Sequence, residues 1–164
     1  MCGIAGIYQL DGTGADATLL TRMSKRIRHR GPDGEGMHLD GPVGLAHRRL
    51  AIIDLTDAAK QPMTNEDGSL WLVFNGEIYN YLELREVLAG MGHVFRSESD
   101  TEVVLHAYEE WGKDCLLRLN GMWAFAIWDR RKQEIFCSRD RFGIKPFYYT
   151  RVGDTVLFAS EIKA

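Results

Sequence analysis

Cysteine is scarce in this chain, and the few present are arranged unusually. The sequence contains three cysteines, an odd number, and no pair has the Cys-x-x-Cys spacing of zinc and redox sites. We therefore expect neither a disulfide framework nor a zinc site. One of the three, Cys2, becomes the first residue of the chain if Met1 is removed.

Long apolar runs and an excess of one charge are also lacking. The longest uninterrupted apolar run, Met122–Trp128, is far shorter than the roughly 20 residues that a membrane helix needs. No basic segment followed by an apolar stretch opens the chain, so we predict no signal peptide and a cytoplasmic location. A net charge of −3 offers no basic surface to nucleic acid or to an anionic membrane, and we expect neither as a partner.

Apolar periodicity and turn residues predict strands at both ends of the chain with helices between them. The predicted strands are Cys2–Leu10, Val43–Asp54, Leu70–Phe74, Met122–Asp129, Glu134–Arg139, Phe147–Arg151 and Thr155–Ser160. The first predicted helix runs from Asp16 to about Arg28. The second follows a capping box formed by Asn80 and Glu83. The third follows a capping box formed by Ser99 and Glu102 and ends at Gly112. Short hairpin connections favour antiparallel pairing, so the predicted class is α+β with helices covering the sheet faces.

Domain organisation is predicted to be simple. No repeat or interdomain linker is visible, so residues 1–164 are predicted to form a single domain. Gly34–Gly36 is predicted to be a flexible loop, and the Arg28–Gly36 segment is a candidate lid. Ser160–Ala164 has the pattern of the first turn of a helix cut short, which suggests the front part of a longer protein.

Cys2 is a candidate nucleophile. A thiol with an ordinary pKa of about 8.5 is mostly protonated at neutral pH and needs a base. An N-terminal cysteine has one in its own α-amine, whose ordinary pKa of about 7.7–8.0 suits proton transfer. The alternative is that residue 2 is simply a buried apolar side chain.

Asn75 and Gly76 are candidate oxyanion donors. A side-chain amide next to a backbone N–H of glycine can stabilise the negative charge that develops on a carbonyl oxygen under attack. The more common meaning of Asn-Gly is a hairpin turn, but no second strand follows at two-residue spacing.

Eight ordered segments carry a resemblance to a known family: Met1–Gly6, Arg28–Asp33, Leu45–Asp54, Asn75–Asn80, Ser99–Glu102, Leu119–Phe125, Arg139–Pro146 and Phe158–Ala164. Met1–Gly6 and Asn75–Asn80 resemble class II, N-terminal-nucleophile glutamine amidotransferases. The other segments narrow the resemblance to the glutaminase domain of glutamine-dependent asparagine synthetases. It implies an αββα sandwich of two mainly antiparallel sheets flanked by helices.

Roles for individual residues follow from this resemblance. It implies Cys2 as the nucleophile with its own α-amine as base, and Asn75 with Gly76 as the oxyanion hole. Arg49 would bind the α-carboxylate of glutamine. Asp100 and Glu77 would hold the α-ammonium, and backbone groups near Leu50 and Ile52 would complete the pocket.

The implied reaction is hydrolysis of L-glutamine to glutamate and ammonia through a γ-glutamyl thioester. The ammonia would serve a C-terminal synthetase domain that is absent from this chain, and ATP and Mg²⁺ would bind only there. We therefore expect no cofactor and no metal in residues 1–164. The other cysteines are predicted to be buried structural thiols, and the histidines to be structural or solvated.

Two alternatives stay open. One is a catalytically silent domain that binds glutamine or a partner for regulation. The other is a glutaminase that serves an acceptor other than aspartate, because an acceptor pocket would lie beyond Ala164. Oligomeric state cannot be predicted from this sequence.

Overall fold

The fold consists of nine strands and three helices, and the computed structural model describes all residues 1–164. The helices are α1 (Ala17–Arg26), α2 (Tyr81–Gly90) and α3 (Asp100–Trp111). The strands are β1 (Gly3–Gln9), β2 (Gly34–Asp40), β3 (Val43–Arg49), β4 (Met63–Thr64), β5 (Leu70–Ile78), β6 (Gly121–Asp129), β7 (Glu134–Arg139), β8 (Tyr148–Val152) and β9 (Thr155–Ala159).

The strands form two antiparallel sheets. The first sheet has the order β2-β3-β1-β9-β8, and the second has the order β4-β5-β6-β7. Every pairing in both sheets is antiparallel. In the first sheet β1 lies between β3 and β9, so the chain begins at its centre.

Three apolar layers hold the molecule together. Between the sheets, Ile4 and Leu45 of the first sheet share one buried cluster with Val73 and Trp128 of the second. Helix α1 covers the outer face of the first sheet, and helices α2 and α3 cover the outer face of the second. The α+β class and the αββα sandwich are therefore confirmed.

Three strand predictions differ from the structure. The strand predicted for Val43–Asp54 ends at Arg49, and the following segment is irregular. Gly34–Gly36, predicted to be a loop, instead begins β2, which pairs with β3 along its whole length. The loop prediction was wrong because glycine was taken as a sign of flexibility, whereas a Cβ on Gly36 would lie 2.1 Å from the Gln61 carbonyl oxygen.

The third difference concerns β5, which is longer than predicted and continues through Ile78. Asn75-Gly76 therefore lies inside a strand rather than in the connection between a strand and a helix. The partner strand β6 pairs with every residue of β5, from Leu70 opposite Asp129 to Ile78 opposite Gly121.

The helix caps are confirmed only in part. The Asp16 carboxylate accepts hydrogen bonds from the N–H groups of Thr18 and Leu19, as predicted for an N-cap. The Asn80 side chain instead bonds to the connection before β6, so the capping box predicted there was wrong.

The box predicted at Ser99 is half formed. The Ser99 Oγ accepts a hydrogen bond from the Thr101 N–H. The Glu102 carboxylate reaches past Ser99 to the N–H groups of Arg96 and Ser97.

The remaining cysteines have different surroundings. Cys115 is buried, as predicted, whereas Cys137 on the edge strand β7 is exposed, so the prediction for Cys137 was wrong. An edge strand has a neighbour on one side only, which leaves room for solvent. None of the helices is long and apolar enough to cross a membrane.

Candidate active site

The Cys2 thiol lies at the end of the first sheet, beside the residues that follow β3. Gly3 of β1 pairs with Arg48 of β3, so continuing this register brings residue 2 opposite Arg49 and close to Leu50. The Leu50 N–H donates to the Cys2 sulfur at 3.4 Å, and the sulfur lies 3.6 Å from the Leu50 carbonyl oxygen. The Arg30 Nε donates to the Cys2 carbonyl at 3.0 Å, which holds the backbone of the thiol-bearing residue.

The thiol is harder to ionise than an ordinary cysteine. Burial raises the pKa of Cys2, and the negative charge of Asp100 adds to this effect. The Leu50 N–H, the positively charged chain terminus and Arg49 lower the pKa, but burial is the larger influence. A base must therefore take the proton before this sulfur can attack a substrate.

The second sheet supplies an open strand edge to the same place. Strand β4 pairs only with the start of β5, so the rest of that edge has no strand neighbour. Side chains replace it: the Phe74 N–H donates to Gln61 Oε1 at 2.6 Å, and the Ile78 N–H donates to Asp100 Oδ2 at 3.0 Å. Because the N–H groups of alternate strand residues point to the same edge, the Gly76 N–H points between them.

Asn75 and Gly76 are held in this edge by packing. Asn75 is buried, and its Nδ2 atom has no hydrogen-bond partner within the protein. A Cβ on Gly76 would lie 2.5 Å from the Met122 carbonyl oxygen and 2.7 Å from the Phe74 ring, so a larger residue does not fit. An unpaired buried amide donor costs free energy and suggests that a ligand completes it.

The Arg49 side chain is fixed by the irregular segment that follows it. One terminal nitrogen donates to the Thr56 carbonyl at 2.9 Å, and the other donates to the Asp54 carbonyl. Two of the five guanidinium N–H groups are thereby used, and three are left for a carboxylate.

Asp100 and Glu77 supply the negative charge of the site. Asp100 is the first residue of α3, is buried, and accepts the Ile78 N–H. Burial raises its pKa to about 6, and the neighbouring carboxylate of Glu77 adds to the rise. Asp100 is thus mostly ionised at neutral pH, and Glu77 is exposed at the rim.

One cavity brings together all of the residues predicted for the site. Its lining includes Cys2, Arg49, Leu50, Ile52, Asn75, Gly76, Glu77 and Asp100. Ile52 is an open part of this lining, with 71% of its surface exposed. Their roles stay predictions, but their convergence from β1, β3, β5 and α3 is a property of the fold.

Several residues of the cavity were not singled out by the sequence. His47 is fully buried, its Nε2 lies 3.2 Å from the Phe74 carbonyl oxygen, and burial lowers its pKa to about 3, so it is neutral. Lys145 is also buried, and its Nζ lies 3.4 Å from the sulfur of Met1. Both residues belong to segments that carry the family resemblance. Their place in those segments was the sequence signal that could have identified them.

Comparisons with known proteins agree with this architecture. A family model described as "Glutamine amidotransferase domain" matches residues 1–164. Among solved structures, glutamine phosphoribosylpyrophosphate amidotransferase from Bacillus subtilis, complexed with ADP and GMP, is similar with a TM-score of 0.82. It is 25% identical, and the match covers 98% of this chain and 42% of that one.

Curated relatives are considerably longer than this chain. Asparagine synthetases [glutamine-hydrolyzing] 1 and 2 of Bacillus subtilis (strain 168) are 45% and 47% identical over 167 residues, covering 100% of this chain. A putative asparagine synthetase [glutamine-hydrolyzing] 2 of Methanocaldococcus jannaschii is 44% identical over 181 residues and 99% of this chain. The chain spans 26%, 22% and 34% of their lengths, respectively.

The two-sheet sandwich, with a thiol at the start of its central strand, defines a class II glutamine amidotransferase fold of the N-terminal-nucleophile type. The chain belongs to the glutamine amidotransferase domain family, in the branch of the glutamine-dependent asparagine synthetases.

Proposed function

We propose that this domain hydrolyses L-glutamine to glutamate and ammonia through a γ-glutamyl thioester on Cys2. The observation that carries the proposal is the buried Nδ2 of Asn75, which has no partner within the protein and lines the same cavity as the thiol. A donor prepared beside a nucleophile is what attack on an amide carbonyl requires.

Removal of Met1 is the first requirement of the mechanism. While Met1 is attached, the nitrogen of Cys2 belongs to an amide and cannot accept a proton. Once it is a free amine, it can take the proton of the thiol, whose pKa is raised by burial. Removal also clears the Met1 side chain from the cavity lining.

Acylation follows from the positions of the donors. The thiolate of Cys2 attacks the side-chain carbonyl carbon of glutamine, a carbon–sulfur bond forms, and the carbonyl π electrons move to oxygen. The amide of Asn75 and the N–H of Gly76 then donate to that oxygen. When the tetrahedral intermediate collapses, the amine returns its proton to the leaving nitrogen and ammonia departs.

Hydrolysis of the thioester repeats these steps with water as the nucleophile. The same amine takes a proton from water, and the oxyanion forms at the same two donors. Collapse breaks the carbon–sulfur bond and releases glutamate, and the Cys2 sulfur recovers its proton. The cycle consumes one glutamine and one water and yields one glutamate and one ammonia.

Recognition of a free amino acid requires a counter-charge for each of its two charged groups. We assign the α-carboxylate to Arg49, whose guanidinium is held by the carbonyls of Asp54 and Thr56. We assign the α-ammonium to Asp100 with Glu77 at the rim. Leu50 and Ile52 line the wall between them.

We also propose that residues 1–164 are the glutaminase domain of a longer enzyme. The curated relatives extend well beyond the matched region and are glutamine-hydrolysing asparagine synthetases by name. The ammonia would pass to a C-terminal synthetase domain that binds ATP and Mg²⁺ and amidates a carboxylate such as aspartate. On this assignment the glutaminase step needs no cofactor.

The test is active-site labelling combined with a glutaminase assay. A chain whose mass confirms the loss of Met1 should release ammonia from glutamine, and an electrophilic glutamine analogue should modify Cys2. Cys2→Ala should abolish both, whereas Cys137→Ser, which removes an exposed thiol outside the cavity, should change neither.

Two results would contradict the proposal. Activity in a chain shown to retain Met1 would refute the α-amine as base. Undiminished hydrolysis by Cys2→Ala would refute the nucleophile. Glutamine binding without hydrolysis, in a chain with a free Cys2 amine, would instead support the silent regulatory domain.

A further inference from the structure

A cluster of imidazoles and carboxylates lies outside the active site, where α3 packs against the connection that follows α2. His106 and Glu109 are on α3, and His93 is in that connection. One Glu109 oxygen, Oε2, lies 3.1 Å from His106 Nδ1 and 3.6 Å from His93 Nδ1. We propose that these three residues bind a divalent transition-metal ion, with Zn²⁺ the best fit.

The spacing of the three ligand atoms suits zinc. Zinc–nitrogen and zinc–oxygen bonds of about 2.0–2.2 Å in a tetrahedron place neighbouring ligand atoms about 3.3 Å apart. The two separations that involve Glu109 lie on either side of this value, and all three ligand atoms lie within 4.8 Å of one another. Two imidazoles and one carboxylate leave a fourth position for water, and this nitrogen-rich set selects Zn²⁺ over Mg²⁺ or Ca²⁺.

The groups behind the three ligands form the supporting shell that metal sites need. With the metal on Nδ1, the opposite nitrogen of each imidazole carries a proton and requires an acceptor. His93 Nε2 lies 3.0 Å from Glu110 Oε2, which provides that acceptor. The Asn65 amide donates to the other oxygen of Glu109 at 3.0 Å, which leaves Oε2 free for the metal.

The His106 ring is buried in this cluster, and the nitrogen that faces away from Glu109 lacks a hydrogen bond. The residue is 1% exposed, and its Nε2 has no hydrogen-bond partner. Carboxylate oxygens of Glu66 and Glu102 lie 3.8 and 3.9 Å from that nitrogen, just beyond bonding distance. A metal on Nδ1 would fix the proton on Nε2, and a small rotation of the ring would bring it to these acceptors.

The charge balance also favours a dication. Four carboxylates, those of Glu66, Glu102, Glu109 and Glu110, surround the two imidazoles. Arg96 contributes one positive charge beside the cluster, with its Nε 3.9 Å from Glu102. Hydrogen bonds from Arg96 and Ser97 already stabilise the Glu102 carboxylate, so an ion of charge +2 in the cluster would mainly offset the charges of Glu109, Glu110 and Glu66.

This ion would be separate from the glutaminase chemistry. His106 lies six residues along α3 from Asp100, or about 9 Å at 1.5 Å per residue. The ion would instead fasten the connection carrying His93 to the helix whose first residue lines the glutamine cavity. The expectation that residues 1–164 bind no metal rested on sequence spacing and on the family resemblance, and neither reveals a ligand brought in from another segment.

The experiment is a zinc titration of the 164-residue chain after treatment with a chelator, followed by calorimetry and by melting temperature. We expect one Zn²⁺ per chain, release of protons on binding, and a melting temperature that rises with Zn²⁺ concentration. Substituted Co²⁺ should give the visible absorption of a four-coordinate ion. Glu109→Gln keeps the oxygen that accepts from Asn65 and should abolish all of these signals.

Graded variants separate a metal site from an ordinary network of ion pairs. His93→Gln should also abolish binding, whereas Glu110→Ala, which removes only the supporting acceptor, should weaken it by about 10- to 100-fold. His29→Gln, outside the cluster and paired with Glu161, should bind Zn²⁺ like the unsubstituted chain. The absence of a one-to-one complex, or equal binding by Glu109→Gln and the unsubstituted chain, would overturn the proposal.

Discussion

Asp100 is a single buried carboxylate whose charge lowers the stability of the fold. Its carboxylate is buried at the start of α3, and burial raises its pKa to about 6 from an ordinary value of 3.8. A carboxylate whose pKa is raised by folding destabilises the fold wherever it is ionised. The penalty is fully present above pH 6 and disappears as the pH falls below 3.8.

We therefore predict that Asp100→Asn stabilises the domain and weakens glutamine binding. The asparagine carbonyl can still accept the Ile78 N–H, so the fold keeps that hydrogen bond. The pKa change from 3.8 to about 6 corresponds to roughly 2–3 kcal/mol of unfolding free energy at pH 7. In denaturant unfolding, the variant should have a larger free energy of unfolding than the unsubstituted chain at pH 7. This difference should be smaller at pH 4.

The matched control for Asp100→Asn is Glu77→Gln, which removes a charge that is exposed to solvent. It relieves only the small part of the Asp100 pKa rise that Glu77 causes, so it should raise stability far less than Asp100→Asn. A loss of stability for Asp100→Asn at pH 7 would mean that the carboxylate is better satisfied than its burial suggests.

Asn75 is expected to act in the transition state rather than in substrate binding. Asn75→Ala removes one oxyanion donor and should lower kcat by about 10²–10³-fold with little change in KM. Steady-state glutaminase kinetics on chains that lack Met1 measure both constants. An increase in KM at constant kcat would instead place the amide in ground-state binding.

At the scale of elements, the start of α3 contributes both to the stability of the fold and to the lining of the cavity. Ser99 caps this helix through the Thr101 N–H, and Asp100 follows it directly. We predict that Ser99→Ala lowers the free energy of unfolding by about 1 kcal/mol. Urea unfolding monitored by circular dichroism measures this loss.

Thr56→Ala is a useful control for the Ser99 substitution. Its hydroxyl accepts the Ala58 N–H at the start of an exposed 3₁₀ turn rather than of a packed helix. We expect Thr56→Ala to lower the free energy of unfolding much less than Ser99→Ala does. Equal losses for both variants would indicate that the Ser99 hydroxyl adds little to α3.

The sequence predicts elements well where short-range patterns determine them. The Asp16 cap and the stop at Gly112, whose φ is 57°, are local features and were predicted correctly. The β5 extension through Asn75–Ile78 was missed because its pairing with β6 joins residues far apart in sequence. Lys145 was missed for the same reason, since burial beside Met1 depends on the assembled fold.

For the molecule as a whole, the apolar layer between the two sheets fixes how the two halves of the site lie relative to each other. Cys2 precedes a strand of the first sheet, and Asn75 belongs to the second. Trp128 lies in that layer, is 1% exposed, and donates from Nε1 to Asp40 of β2 at 2.8 Å. The distance between the Cys2 thiol and the Asn75 amide therefore depends on how the sheets pack.

We predict that Trp128→Ala costs about 3–5 kcal/mol of unfolding free energy, the usual loss for a large aromatic in a core. Trp128→Phe should recover most of it, although the bond to Asp40 is lost. Thermal and denaturant unfolding give both values. Trp71→Phe, in which the side chain is only partly buried, provides the comparison for a tryptophan outside the centre of this layer.

The open edge of β5 also has a consequence for how the protein behaves in concentrated solution. Unpaired strand edges promote association between molecules, because another chain can add to them. Here Gln61 and Asp100 satisfy two of the N–H groups on this edge, and the third, that of Gly76, lies at the cavity. Substitutions of Gln61 should therefore be examined for self-association as well as for lost activity, since the groups that prepare this edge for a small molecule also keep it from pairing with another copy.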